Sequence, residues 1–175
     1  IIPKINVQAP VIYGLPNLNE DTALNALKSG VIHYPLQGAT AYPGQNGNSV
    51  FLGHSSSDIF NNGKYKFIFV QLDRLTTGDL FYINYNSVQY TYKVTKTEVV
   101  APTDVGALAL GTDKPRASLI TCDPPGTARN RLIVIGDQIN PDPGKAASTQ
   151  KADDSGSTNK ITGTPPTLFE KIFGG

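Results

Sequence analysis

The chain of 175 residues has no methionine and no tryptophan, and it contains one cysteine and two histidines. A single cysteine excludes a disulfide within the chain, and so few nitrogen and sulfur ligands argue against a zinc site. The sequence has no run of 18 apolar residues, so it predicts no membrane-spanning helix. Any catalytic chemistry must therefore rest on a small number of side chains.

The net charge of +1 comes from lysines and arginines scattered along the chain rather than gathered among aromatic residues. This distribution argues against nucleic-acid binding, which normally needs a basic patch. The length suits one domain with a single core, and 39% hydrophobic residues suffice to build it. Seventeen glycines and thirteen prolines indicate many turns between short elements.

Short apolar or alternating segments dominate the first 140 residues. Strands are predicted at 1–14, 31–36, 49–56, 80–85, 88–100, 117–122 and 131–139. One helix is predicted within 17–29, with Asn19 as its N-cap. Residues 58–72 fit either a strand or an irregular helical turn, and a further helical turn is predicted within 104–110. This pattern predicts a mainly β fold, a small barrel with one or two short helices.

The composition changes at residue 141. We predict a catalytic barrel at 1–140 and a tail at 141–175 that is rich in Pro, Gly, Ser and Thr. The tail ends in a short amphipathic segment, 168–173, which either docks on the barrel or precedes a segment that was removed. Because the sequence opens inside a predicted strand, we expect a processed piece whose N-terminal signal or membrane anchor lies outside the printed chain.

Cys122 ends an apolar strand and is followed by Asp-Pro-Pro-Gly, which cannot continue a ladder. A lone cysteine is more often a buried small hydrophobe, but a strand end beside a loop favours access to solvent. Arg131 follows nine residues later at the start of the next apolar run. His54 ends another apolar strand, directly after Gly53. Two adjacent strands joined by the loop after Cys122 would bring Cys122 and Arg131 to the same rim of the barrel.

These three residue types suit acyl transfer. The thiolate is the nucleophile, and an imidazole can take the thiol proton and return it to a departing amine. An arginine stays charged and can stabilise the oxyanion of a tetrahedral intermediate. This chemistry needs neither a metal nor another cofactor.

Three motifs in order resemble those of the sortase family. GNSVFLGHS (47–55) resembles the family's strand that ends in the catalytic histidine, and LDRLTTGD (72–79) resembles its L-x-x-L-x-x-G-D segment. ASLITCDPPG (117–126), followed by RLIV (131–134), resembles the TLxTC strand and the arginine-headed strand after it. Ser118 stands where that signature has its first threonine. The resemblance covers roughly residues 1–139.

The resemblance implies a closed eight-stranded barrel and a cysteine transpeptidase (a thiol protease in its first step) with Cys122, His54 and Arg131 as its catalytic residues. It implies cleavage of an LPxTG-like sorting signal between Thr and Gly, with transfer to an amine of a cell-wall precursor or a pilin lysine. Cys122 and His54 would be mostly neutral, with a minor thiolate–imidazolium population active. Thr121 and Ser118 would lie on the substrate side.

The resemblance also implies a membrane-anchored enzyme on the outer face of the bacterial cytoplasmic membrane, in the cell envelope. The proline-rich loop after Cys122 is similar to loops of short-looped classes such as C, D or E. The short stretch between residues 100 and 118 disfavours a class B architecture. The class itself stays open.

Several alternatives compete with this interpretation. His33 is the other histidine, but it lies within a predicted strand and is expected to be a packed or surface residue. Arg129 competes with Arg131, and Asp123 could act as a triad acid, although alternation turns it away from Cys122. Scattered carboxylates do not establish a calcium site. As a whole, the chain could instead be a catalytically silent extracellular binding module, whereas His preceding Cys argues against a papain-like hydrolase.

Overall fold

The computed structural model describes residues 1–36, 38–55, 64–104, 112–127 and 129–146. These residues form one sheet of seven strands: β1 Val11–Ile12, β2 Val31–His33, β3 Gly47–Leu52, β4 Leu80–Tyr85, β5 Val88–Val100, β6 Pro115–Asp123 and β7 Asn130–Asn140. The α-helix α1 spans Glu20–Leu27, and short 3-10 helices lie at Pro3–Ile5, Leu72–Arg74 and Pro143–Lys145. The fold is mainly β, as predicted.

Helix α1 begins where the sequence predicts. The side-chain Oδ1 of Asn19 accepts a hydrogen bond from the backbone N–H of Thr22 at 2.9 Å, which satisfies one of the free donors of the first turn. Ala23 and Leu27 form its buried face and pack on the outside of the sheet. The N-cap prediction is confirmed.

The strand order is β1-β2-β3-β6-β7-β5-β4. At its centre, β3 runs parallel to β6, and β6 pairs antiparallel with β7. The chain therefore places two strands that are far apart in sequence side by side. Cys122 lies on β6, Arg131 lies on β7, and His54 follows the end of β3.

The central strands are buried on both faces. One face contributes Phe51, Leu119 and Val134 to a cluster inside the sheet, and the other contributes Ile120 and Ile133 to a cluster under α1. Side chains alternate between faces along a strand, so burial of both faces requires nearly continuous apolar runs. This explains why β6 and β7 lack the alternation seen in β5.

The first twelve residues connect the two edge strands of the sheet. Ile1 exchanges two hydrogen bonds with Tyr82 of β4, at N···O distances of 2.8 and 2.9 Å, while β1 pairs with β2 at the opposite edge. Ile2 and Ile5 lie in the inner cluster between these points. This segment thus links the two edges of the curled sheet, and the described residues form seven strands rather than the predicted eight.

Two segments have a different secondary structure from the one that the sequence predicts. Residues 1–14, predicted as an edge strand, contain the Pro3–Ile5 3-10 helix, and Asn6 lies in the left-handed region at φ 52°, so the segment contributes only the short strand β1 to the sheet. The described part of 58–72 forms turns and a 3-10 helix, because Phe69, Leu72 and Leu75 face the inner cluster at three-residue spacing. The strand alternative is therefore wrong for residues 64–72, and residues 58–63 lie outside the described ranges.

Some predictions fall largely outside the described residues. They include most of the helical turn at 104–110 and of the tail, with its segment 168–173. The boundary between barrel and tail at residue 140 stays a prediction. Among the helices of the described ranges, none is long and apolar enough to cross a membrane.

Candidate active site

Cys122 lies next to the last residue of β6, and Arg131 lies directly opposite it on β7. Directly opposed residues in an antiparallel pair project to the same face, with their Cβ atoms about 4.5–5.5 Å apart. In the part of the connecting loop that the structure describes, the N–H and the hydroxyl of Thr127 both donate to the carbonyl of Pro124. This hairpin brings the thiol and the guanidinium together at the end of the sheet.

Arg131 is fully buried, with 0% of its surface exposed. Its Nη1 donates a hydrogen bond to the carbonyl of Asn130 at 2.8 Å, and Val100 of β5 lies opposite it on the other side. Arg129, by contrast, is exposed and precedes β7. Of the two arginines weighed from the sequence, Arg131 is the one beside Cys122.

His54 follows β3 and is partly buried. Its backbone carbonyl accepts a hydrogen bond from the N–H of Phe69 at 2.8 Å. The preceding Gly53 is needed because a Cβ there would lie 2.5 Å from Cδ2 of Phe69. Since β3 lies parallel to β6, with Leu52 opposite Ile120, the chain leaves β3 beside the strand end that carries Cys122.

Three hydrogen bonds hold the residues on either side of His54 to the Cys122 strand. The N–H of Gly53 donates to the carbonyl of Ile120 at 3.1 Å, and the hydroxyl of Thr121 donates to the carbonyl of Gly53 at 2.8 Å. The hydroxyl of Ser55 donates to the carbonyl of Cys122 at 3.0 Å. The backbone of His54 is thereby held between fixed points on β6.

Burial shifts the pKa values of the thiol and the imidazole in opposite directions. Burial raises the pKa of Cys122 to about 11, because the thiolate loses more solvation than the nearby Arg131 guanidinium restores. Burial lowers the pKa of His54 below its usual value of 6.5, because the imidazolium is the charged form. At neutral pH both groups are therefore mostly neutral, as a thiol and an imidazole.

The two residues predicted on the substrate side are buried and hydrogen-bonded within the protein. Thr121 donates to Gly53, as described above, and the hydroxyl of Ser118 donates to Oδ1 of Asn48 at 3.0 Å. Thr121 adjoins Cys122, whereas Ser118 lies four residues earlier on β6. Their roles toward a substrate stay predictions.

His33 is a packed histidine, as predicted. Its surface is 2% exposed, its Nε2 lies 3.0 Å from the carbonyl of Ala41, and its ring centroid lies 4.6 Å from that of Tyr42. Elsewhere in the ranges that the structure describes, no three His, Cys, Asp or Glu residues are grouped so that they could hold a metal ion.

The sequence reasoning did not assign a role to Ser55 or to Phe69. Ser55 follows the Gly-His pair directly, so a hydroxyl at that position was the available signal. Phe69 carried no local signal, because its contact with Gly53 depends on how the turn at 64–71 folds back on β3.

Comparison with known proteins agrees with this geometry. The family model described as a sortase domain matches residues 1–139. Sortase D of Bacillus subtilis (strain 168) is 29% identical over 141 residues, which cover 79% of this chain and 61% of that protein. The chain thus spans about three fifths of that relative's length. With the family model matching most of its residues, the chain belongs to the sortase family.

Solved structures of sortases are similar to the whole barrel. Sortase C from Clostridium perfringens SM101 has a TM-score of 0.62 and 31% identity, over 80% of this chain and 67% of that chain. A structure of Clostridium perfringens sortase C with the C-terminal cell wall sorting motif has a TM-score of 0.63 and 32% identity, over 80% of this chain and 68% of that chain. The mainly β barrel is therefore the sortase fold.

Proposed function

We propose that this chain is a cysteine transpeptidase that cleaves an LPxTG-like sorting signal between Thr and Gly. The observation that carries the proposal is the direct pairing of Cys122 with the buried Arg131 on neighbouring strands. A nucleophile beside a permanently charged donor, with a histidine on the adjoining strand end, is the set of groups that acyl transfer requires.

In the first step, His54 takes the proton of the Cys122 thiol, and the sulfur attacks the carbonyl carbon of the substrate threonine. The carbonyl electron pair moves to oxygen, and the guanidinium of Arg131 stabilises the resulting oxyanion. Collapse of this intermediate breaks the Thr–Gly bond, and the imidazolium gives its proton to the departing glycine amine. The product is a thioester on Cys122.

In the second step, an amine attacks the thioester and His54 accepts a proton from the attacking nitrogen. The new amide forms as the C–S bond breaks, and the proton returns to the sulfur. When no amine is present, water resolves the same intermediate, and the net reaction is peptide hydrolysis. The amine would come from a cell-wall precursor or a pilin lysine.

The substrate and the location are supported by the family. The relative from Clostridium perfringens was solved with a cell wall sorting motif, which supports a sorting-signal peptide as the partner here. Ser118 shares the face of β6 that carries Cys122, and Thr121 lies on the opposite face beside it, so the two would contribute to the substrate side from different faces of the strand. The enzyme would work at the cell envelope, on the outer face of the cytoplasmic membrane, held by an anchor outside this chain.

The test is release of a fluorophore from a quenched LPxTG-type peptide, with and without a primary amine, followed by mass spectrometry of the product. We expect amine-linked product from the native protein and a thioester adduct on Cys122. Cys122→Ala should abolish both. Turnover that persists in this variant contradicts the proposal.

The catalytically silent binding module would give a different result. A folded protein whose Cys122 resists a methanethiosulfonate reagent, and which binds the peptide without cleaving it, would support that module. Rapid labelling of Cys122 supports the enzyme, because the labelled thiol must be accessible and able to ionise.

A further inference from the structure

Ser55 forms a hydrogen bond at the point where the chain leaves the sheet. In a parallel pair, hydrogen bonds are evenly spaced along the strands. The N–H of Gly53 donates to the carbonyl of Ile120, and two residues further along both strands the hydroxyl of Ser55 donates to the carbonyl of Cys122 at 3.0 Å. A side chain thus supplies the next contact between the two strands, after β3 has ended at Leu52.

We infer that Ser55 is a positioning residue for His54. His54 lies between two attached residues, Gly53 and Ser55, and both are attached to the strand that carries the nucleophile. These attachments hold the backbone of His54 next to the strand that carries Cys122. The inference rests on the proposed role of His54 toward Cys122.

The contact is buried, so its loss has consequences. Ser55 is 2% exposed, and water cannot readily replace its hydroxyl. Removing one partner of a buried hydrogen bond leaves the other partner unsatisfied. Because the acceptor is the carbonyl of the nucleophile itself, the disturbance falls on the relative placement of His54 and Cys122. Displacements of about 1 Å in reacting groups can lower rates about a hundredfold.

Ser49 is a matched control on the strand before His54. It is 1% exposed, and among the residues that the structure describes its Oγ has no hydrogen-bond partner. Ser49→Ala therefore removes an equally buried hydroxyl from the same part of the chain without breaking a contact. Any general effect of replacing a buried serine should appear in both variants.

The first experiment needs no peptide substrate. The rate of alkylation of Cys122 by iodoacetamide is measured against pH in the native protein, Ser55→Ala, His54→Ala and the double variant. We expect Ser55→Ala to slow the reaction about tenfold near neutral pH and to change the shape of the profile. In the His54→Ala background the same substitution should change the rate by less than about twofold, because Ser55 acts through His54.

The second experiment uses the quenched peptide. Ser55→Ala should lower kcat by about ten- to a hundredfold and change KM by less than about twofold, which distinguishes positioning from substrate binding. Ser55→Thr keeps the hydroxyl and should recover most of kcat. Ser49→Ala should match the native protein. Thermal unfolding and circular dichroism confirm that each variant is folded.

Equal effects of Ser55→Ala in the presence and absence of His54 would overturn the inference, as would equal losses in Ser55→Ala and Ser49→Ala. The two proposals fail separately. A native protein that does not cleave the peptide, yet shows the coupled alkylation rates, retains the positioning role and loses the proposed reaction. If the native protein cleaves the peptide but the effects of Ser55→Ala and His54→Ala on alkylation are independent, the proposed reaction stands and the positioning role of Ser55 is wrong.

Discussion

The two histidines of the chain occupy similar electrostatic environments but different structural ones. Burial lowers the pKa of both His33 and His54. His33 lies within β2, where its ring packs against Tyr13, Tyr42 and Phe51 and its Nε2 contacts the carbonyl of Ala41. His54 lies after the end of β3, beside the strand end that carries the only cysteine.

The comparison shows that a shifted pKa alone does not separate a functional histidine from a structural one. The two histidines differ in the residues that surround them and in their access to solvent. His33 is surrounded by aromatic rings and is 2% exposed, so it has no route to a substrate. His54 is partly exposed, and its backbone is attached to a strand that ends in a nucleophile. The same burial thus stabilises a core in one place and a neutral base in the other.

The strongest test of this contrast replaces each histidine by glutamine. His54→Gln should lower kcat by about 10²–10⁴-fold, the range typical for loss of a general acid–base group, with little change in stability. His33→Gln keeps a donor near the Ala41 carbonyl but loses ring contacts, so it should lower the melting temperature and leave kcat of the folded protein within about threefold. Peptide cleavage and thermal unfolding measure the two effects. Similar kinetic losses in both variants would remove the contrast.

A second comparison concerns the two arginines. Arg131→Lys should lower kcat by about one to three orders of magnitude, because a lysine cannot reproduce the guanidinium fork beside Cys122. Arg129→Lys is the control, since Arg129 is exposed and precedes β7. Its rate should stay within about twofold of the native rate. A defect in Arg129→Lys alone would show that the wrong arginine was chosen.

The third prediction concerns the turn before His54. Gly53→Ala should reduce the free energy of unfolding by about 1–3 kcal/mol, because the added Cβ would overlap the ring of Phe69. It should also slow peptide cleavage by moving His54. The double variant Gly53→Ala/Phe69→Leu has a smaller side chain at the point of overlap. We expect the double variant to recover part of the stability, measured by chemical denaturation, and part of the peptide-cleavage rate. If neither recovers, overlap with the Phe69 ring is not the cause of the Gly53→Ala defect.

The smallest expected effect is on the pH dependence of stability. The folded histidines have pKa values below 6.5, so below about pH 6.5 the unfolded chain binds protons that the folded chain does not. The free energy of unfolding should therefore fall as the pH drops from 7.5 to 5. Urea titrations across this range measure it, and His33→Gln should reduce the slope. A stability that rises toward pH 5 is incompatible with two buried neutral histidines.

Much of the barrel could be predicted because its signals are local. The strand at 80–85 and the strand at 88–100 agree with the structure at both ends, since turn residues bound each of them. The cap at Asn19 is equally local. The segment around Phe69 could not be assigned, because its turns depend on contacts with the inner cluster rather than on its own periodicity.

In the candidate site, too, contacts close in the sequence could be predicted and contacts between distant segments could not. Cys122 and Arg131 were found because a short hairpin joins them, and a hairpin makes its ends neighbours. The link from Ser55 to Cys122 could not be derived, since it depends on β3 lying parallel to β6, and nothing in either strand specifies that partner. Family motifs supplied His54, whereas its supporting hydrogen bonds required the structure.

The parallel pairing of β3 with β6 also has a consequence for the order in which parts of the protein fold. Ser55 and Cys122 are separated by 67 positions in the sequence, so closing their contact costs more chain entropy than closing the β6–β7 hairpin. The hairpin of β6 and β7 can place the thiol beside the arginine earlier, but the histidine arrives with the central strand pair. During refolding of the full chain, the thiol should therefore gain its acid–base partner after the hairpin has formed, and the onset of thiol reactivity would report that folding is complete.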